Sequence, residues 1–143
     1  ANLNAQTLLE GNRIFQEFKG ALAEQYVQQQ ILAELGIEPY YWSAERSDAE
    51  IDFLIQSDMA IVPVEVKAEV NLQAKSLKSF CHKFRPPIAV RTSMGHYFKQ
   101  TVELPEASER QLPKNYVLID LPLYAISQIR KECEEAQGRM RSE

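Results

Sequence analysis

The sequence has few of the residues on which many small sites depend. Its 143 residues include two cysteines, Cys81 and Cys133, which lie far apart without metal-ligand partners, so reduced thiols are expected rather than a disulfide framework. His82 and His96 are the only histidines, too few and too separated for a zinc site or a Ser-His pair. Neither GxGxxG nor GxxxxGK[ST] occurs, so a phosphate-binding loop is not supported.

Long apolar runs are also missing. No run approaches the roughly 20 residues of a membrane-spanning helix, and the N-terminus lacks the pattern of a signal peptide. A cytoplasmic protein with no membrane partner is therefore predicted. The length predicts a single domain over residues 1–143 with a frayed tail at residues 134–143. Because residue 1 is Ala, we expect a fragment of a longer protein.

Charge is distributed unevenly along the chain. The net charge is -4, yet residues 67–99 contain seven basic residues and one acidic residue. The local field rather than the net charge decides whether a polyanion is attracted to one face. The basic segment indicates either a nucleic-acid contact or the solvated face of a helix.

The pattern of apolar residues predicts an α/β fold. Residues 7–35 read as a helix, with a break allowed near Gly11 or Gly20, and residues 37–44 as a strand. AEIDFLIQ and AIVPVEVKA predict an antiparallel hairpin, in which Pro63 indicates an edge or a bulge. A helix over 72–83, a strand over 87–92, a connection over 93–114, a strand over 115–122 and a closing helix follow. This order predicts a mixed β-sheet flanked by helices.

Three charged residues interrupt the apolar hairpin. Asp52 lies in its first strand, and Glu65 and Lys67 share one face of its second strand. Paired strands would bring the two carboxylates together at one end of the sheet, where they repel unless a cation such as Mg²⁺ lies between them. A lysine beside that ion could orient a water or stabilise charge on a phosphate. The alternative is a salt bridge between Asp52 and Lys67.

A fourth acidic residue lies on the helix that precedes the sheet. At 100° per residue from Val27, Ile31 falls at about 40°, Glu24 at about 60° and Leu35 at about 80°. Glu24 therefore lies within an apolar stripe, where a carboxylate is costly unless it is paired or binds metal. Either it is a third ligand, or its carboxylate reaches water at the margin of the stripe. Apolar residues on the opposite side indicate a second neighbour for this helix: Phe18, Leu22 and Leu32.

With these residues assembled, the chain resembles the PD-(D/E)xK, or restriction-endonuclease-like, superfamily. That core consists of a helix with an acidic residue, a hairpin carrying Asp and then E-x-K, a helix and a strand, and residues 20–92 match its order. The phrases EFKGALAEQYV, YYWSAERSDAEIDFLI, VPVEVKAE, KSLKSF and IDLPLYAI are similar to the C-terminal domain that follows a P-loop AAA-type ATPase domain in bacterial and archaeal proteins. Ile51 stands where the superfamily name places a proline.

The resemblance implies a metal-dependent DNA nuclease. Asp52 and Glu65 would coordinate Mg²⁺ or Mn²⁺, Glu24 would support the metal directly or through water, and Lys67 would act on the attacking water. Lys75 and Lys78 could hold the phosphate backbone. The implied partners are DNA and the N-terminal ATPase domain, with a homo-oligomer left open. The alternative is an inactive nuclease-fold module that docks on its ATPase domain, or on itself, through the face of Phe18, Leu22 and Leu32.

Overall fold

The computed structural model describes residues 13–35, 40–43, 50–57, 60–67 and 75–142. The elements, in chain order, are α1 (Arg13–Leu35), β1 (Tyr40–Ser43), β2 (Glu50–Ser57), β3 (Ala60–Lys67), α2 (Lys75–Phe84), β4 (Ile88–Ser93), β5 (Phe98–Glu103), β6 (Asn115–Pro122), a 3-10 helix (Leu123–Gln128) and α3 (Ile129–Ser142). α1 is continuous through Gly20, and Gly11 lies outside the described residues. α3 includes most of the segment expected to form a frayed tail.

The six strands form one mixed sheet in the order β1-β2-β3-β4-β6-β5. β1, β2 and β3 pair antiparallel, β3, β4 and β6 pair parallel, and β5 returns antiparallel to β6. The predicted hairpin of β2 and β3 is therefore confirmed, as is the α/β class with a mixed sheet flanked by helices. Within the described ranges, no helix combines the length and apolar character needed to cross a bilayer.

Helices cover both faces of the sheet. One face packs against α1, the 3-10 helix and α3, through a core that includes Val27, Ile31, Val64, Ile126 and Ile129. The other face packs against α2, and we call it the α2 face. Its smaller core contains Leu77, Phe80 and Cys81 of α2 together with Ala89, Tyr116, Leu118 and Ile51 of the sheet. Strand alternation places Glu65, Arg91 and Asp120 on the α2 face as well.

Two predictions about the strands were wrong. Residues 93–114 were expected to be a connection, but residues 98–103 form the edge strand β5. The expected edge or bulge at Pro63 is not found either, because β3 lies inside the sheet and pairs with β2 without a register shift. Pro63 is buried in this strand. The burial of both faces of β3 therefore outweighs the one ladder donor that proline lacks.

Candidate metal centre

A bulge in β2 lies at the position of Asp52. Tyr40 and Trp42 of β1 are two residues apart, but their partners Leu54 and Ile51 are three residues apart. One extra residue therefore lies in β2, and the alternation of its side chains changes there. Phe53 packs into the α1 side of the core, whereas Ile51 packs on the α2 face. The bulge thus reorients the chain where the first acidic residue lies.

The Asp52 carboxylate takes part in the backbone pairing of the hairpin. The described pairing of β2 with β3 runs from Ser57 and Ala60 to Phe53 and Val64. At the next position, Asp52 Oδ2 accepts a hydrogen bond of 2.7 Å from the backbone N–H of Val66. A carboxylate that accepts a backbone donor is held in one orientation. Asp52 is therefore fixed beside the two residues that flank Val66, which are Glu65 and Lys67.

Glu65 is a buried carboxylate whose charge and hydrogen-bonding capacity are only partly satisfied. The residue is 6% exposed, and its Oε2 atom has no hydrogen-bond partner among the described residues. Burial first, and the negative charge of Asp52 second, raise the pKa of Glu65 from 4.5 to about 7, against the opposing charges of Lys67 and Arg91. Two carboxyl groups thus lie close enough to disfavour each other's charge. An added cation would remove that repulsion.

Lys67 neutralises part of this charge. Its Nζ atom lies 3.3 Å from Glu65 Oε1, and its side chain is 29% exposed. The same carboxylate thus has one oxygen paired with lysine, whereas the other oxygen has no hydrogen-bond partner among the described residues. Lys67 is the last residue of β3, at the carboxyl end where the ligands of parallel α/β sheets bind.

An ion pair on the next two strands extends the site. Arg91 is the register partner of Glu65 on β4, and Asp120 is the partner of Arg91 on β6. The Arg91 guanidinium donates to both carboxylate oxygens of Asp120, from Nε at 2.5 Å and from Nη2 at 2.9 Å. This fork geometry orients the guanidinium and leaves it beside Glu65.

The sequence interpretation missed this pair. In the sequence, Arg91 is one of several residues of the basic segment, and Asp120 lies in an apolar strand. A single carboxylate inside NYVLIDLP was the available signal, because a buried charge requires a partner. Its partner is 29 residues away in the sequence and could not be identified without the strand order.

The other three predicted site residues are exposed. Glu24 is exposed on α1, and within the described ranges no three His, Cys, Asp or Glu side chains come together as a metal-binding group. The structure therefore brings Asp52, Glu65 and Lys67 together but does not join Glu24 to them as a third carboxylate. Lys75 and Lys78 are exposed on α2, which covers the same face of the sheet as Glu65.

The donor set at this centre fits a hard divalent cation. Mg²⁺ is usually held by one or two carboxylates and completes its shell with water and substrate phosphate. The Asp52 and Glu65 carboxylates supply such oxygens, and the unpartnered Glu65 Oε2 is a buried acceptor without a donor. Two carboxylates, a lysine and a partly exposed position together suit the hydrolysis of a phosphate ester.

Comparison with protein families gives a match over most of the chain. The family described as "Domain of unknown function (DUF4143)" matches residues 19–122, which is well over half of the chain and includes all the residues of the centre. No curated protein matches the sequence.

Proposed function

The chain belongs to the DUF4143 family, and we propose that it is a metal-dependent nuclease-fold domain that hydrolyses DNA phosphodiester bonds. In this proposal β2, β3, α2 and β4 form the restriction-endonuclease-like core, with α1 before it. The element order helix, hairpin, helix and strand, with Asp in the first hairpin strand and E-x-K in the second, supports that core.

The observation that carries the proposal is the state of Glu65. A carboxylate with an unpartnered buried oxygen, beside a second carboxylate, costs folding free energy unless a cation compensates its charge, and such groups cluster at functional sites. A salt bridge alone does not account for it, because the lysine contacts the other oxygen. A divalent cation between Asp52 and Glu65 would supply the missing positive charge.

Each residue of the centre then has a role. Asp52 and Glu65 would hold the metal ion, and Glu24 would support it from α1 through water. When bound, Mg²⁺ would polarise the phosphate and lower the pKa of a coordinated water. Lys67 orients the attacking water or stabilises charge that develops on the phosphate. Lys75 and Lys78 hold the DNA backbone without reading its sequence.

The partners follow from the same proposal. DNA is the substrate, and the family is typically found with AAA ATPases, which supports an N-terminal P-loop ATPase domain as the attached partner. In this proposal the metal centre lies in this domain, and ATP hydrolysis would belong to the attached domain. The location proposed for this enzyme is the cytoplasm.

Metal binding tests the proposal more directly than cleavage does. Calorimetric titration with Mn²⁺ and Mg²⁺ should show binding by the wild-type protein and loss of binding in Asp52→Asn. The asparagine keeps an oxygen that can accept from Val66, so the hairpin should persist in circular dichroism. Glu103→Gln, an exposed acidic position on β5, is the matched control and should bind like the wild type. No wild-type binding at millimolar metal would overturn the proposal.

A second candidate function is supported by one surface. Leu22 and Leu32 of α1 are 50% and 48% exposed, although leucine is among the residues most often buried. The side chain of Phe18 lies outside the described residues. An inactive nuclease-fold module would use this face to dock on its ATPase domain. The docking role would be favoured if Asp52→Asn still regulates the attached ATPase normally and Leu22→Asp no longer does.

A further inference from the structure

Glu65, Arg91 and Asp120 lie in a row across the α2 face, and an exposed aromatic ring lies at the end of that row. Phe98 is the first residue of the edge strand β5 and is the register partner of Asp120. It is 58% exposed, and Met94 in the preceding turn is 67% exposed. The face of the Phe98 ring is therefore available for contact with a ligand.

The ring lies on the same face as the metal centre. Val102 of β5 packs against the core of the α2 face, and alternation along the strand places Phe98 on that side as well. Paired residues of neighbouring strands share a face, so Glu65, Arg91, Asp120 and Phe98 form one row across β3, β4, β6 and β5.

Three exposed lysines lie on α2, the helix that covers this face of the sheet: Lys75, Lys78 and Lys83. Residues 70–102 contain no aspartate or glutamate. Of the basic residues in this segment, Arg91 is paired with Asp120, and Lys99 lies on the opposite face of the sheet beside Glu132. Lys75 and Lys78 are exposed on the helix that covers the α2 face, so a polyanion that approaches this face meets a favourable field. An apolar protein partner would gain nothing from this charge.

We propose that Phe98 is a base-stacking subsite for an unpaired nucleotide of the DNA strand whose phosphate reaches Asp52 and Glu65. This proposal rests on the proposed function and names its substrate class. Three strand spacings separate Glu65 from Phe98, about 14 Å, which spans about four nucleotides of a stacked strand and fewer of an extended one.

The stacking requirement selects unpaired DNA. In a duplex each base is already stacked on its neighbours, and a side chain at the sheet edge meets the phosphate backbone. An unpaired base offers its ring face, and stacking on an aromatic side chain stabilises it whatever the base. Single-stranded DNA, a flap or a gapped end is therefore the class that this subsite accepts.

Binding in the absence of metal tests the subsite. Fluorescence anisotropy with a fluorescein-labelled dT20 oligomer, in EDTA, should show binding weakened about tenfold or more in Phe98→Ala. The affinity for a 20-base-pair duplex should stay unchanged. Phe98→Trp should bind dT20 like the wild type, with quenching of the new tryptophan. Tyr124→Ala removes an 83% exposed aromatic from the 3-10 helix and should have no effect.

Several results would overturn the subsite. One is that Phe98→Ala binds dT20 as tightly as Tyr124→Ala does, and another is that Phe98→Ala loses as much affinity for the duplex as for dT20. A third is that the wild type binds an RNA oligomer more tightly than DNA. A fourth is that the wild type sediments as a dimer that Phe98→Ala dissociates. The last result would make the ring a contact between copies of the chain.

The outcomes separate the two proposals. Metal binding that Asp52→Asn abolishes, with normal dT20 binding by Phe98→Ala, would leave the nuclease function standing without the subsite. Phe98-dependent binding of dT20 by a protein that binds no metal would leave a DNA-binding site and remove the nuclease.

Discussion

The backbone N–H of Val66 donates a hydrogen bond of 2.7 Å to Asp52 Oδ2, so a side chain of β2 serves a donor of β3. The bond follows the bulge in β2 and lies just beyond the regular pairing of Phe53 with Val64. One contact thus joins the local backbone irregularity to the placement of a carboxylate next to Glu65. The predictions below concern the groups that this arrangement brings together.

Stability should depend on pH through Glu65. Its pKa is raised from 4.5 to about 7, so its contribution to stability is fully present below pH 4.5 and is lost as the pH rises through 7. The loss is about 3 kcal/mol. Urea unfolding in EDTA should therefore show a wild-type free energy that falls between pH 5 and pH 8 relative to Glu65→Gln. Glu103→Gln should follow the wild type; parallel curves for wild type and Glu65→Gln would contradict the prediction.

Removing one partner of the Arg91–Asp120 pair should destabilise the protein more than removing both. Both side chains are largely buried, 14% and 8% exposed, so Arg91→Met leaves Asp120 uncompensated and should lower the unfolding free energy by about 3 kcal/mol or more. Arg91→Met with Asp120→Leu removes both charges and should recover most of that loss. Urea unfolding of the two single variants and the double variant measures the coupling, and additive losses would show that the pair does not interact.

Lys67 should matter for cleavage more than for metal binding. Lys67→Met keeps both carboxylates but removes the cation that lies 3.3 Å from Glu65. In the wild type this cation lowers the pKa of Glu65. The pKa of Glu65 should rise further in this variant, so we expect Mn²⁺ binding to persist but to need a higher pH than in the wild type. The rate of DNA cleavage should fall about 100-fold or more. Wild-type cleavage by Lys67→Met would remove the proposed role of this residue.

The lysines of α2 should set the salt dependence of DNA binding. Lys75→Ala with Lys78→Ala removes two exposed cations, so the slope of log K against log salt for dT20 should fall by about 1.4. Lys131→Ala removes an exposed cation from α3, on the other face of the sheet, and should leave the slope unchanged. Equal slopes for all three proteins would show that DNA does not contact α2.

Glu24 should act on the metal only from a distance. Because it is exposed and forms no three-carboxylate group with Asp52 and Glu65, Glu24→Gln should weaken Mn²⁺ binding about tenfold, as loss of an outer-shell group does. Calorimetric titration with Mn²⁺ compares Glu24→Gln with the wild type and with Asp52→Asn, in which binding should be abolished. Abolition of binding by Glu24→Gln as well would make Glu24 a direct ligand.

Much of the fold could be predicted from patterns that are local in the sequence. Alternation and a short polar turn predict the β2–β3 hairpin, and paired prolines after a periodic segment predict the end of α2. Spacing then brings Asp52, Glu65 and Lys67 near each other once the hairpin forms. The structure adds the interaction between the two carboxyl groups.

The remaining features depend on pairing between distant segments. β5 is a half-exposed edge strand, so FKQTVE carries too few apolar residues to mark it as a strand. Pro63 was misplaced because the sequence does not show that β3 has a neighbour on each side. The bulge at Asp52 is visible only in its register against β1, and Arg91 meets Asp120 only because β4 lies beside β6.

The central position of β4 has a consequence for the order of folding. The β2–β3 hairpin closes a short loop and can form early, whereas β4 joins β3 and β6 through long crossovers that pay a larger loop-closure entropy. Arg91 therefore reaches Glu65 only in the later step. Until then the hairpin holds two acidic groups without the arginine, and the rate-limiting barrier should lie in the docking of β4 rather than in the formation of the hairpin.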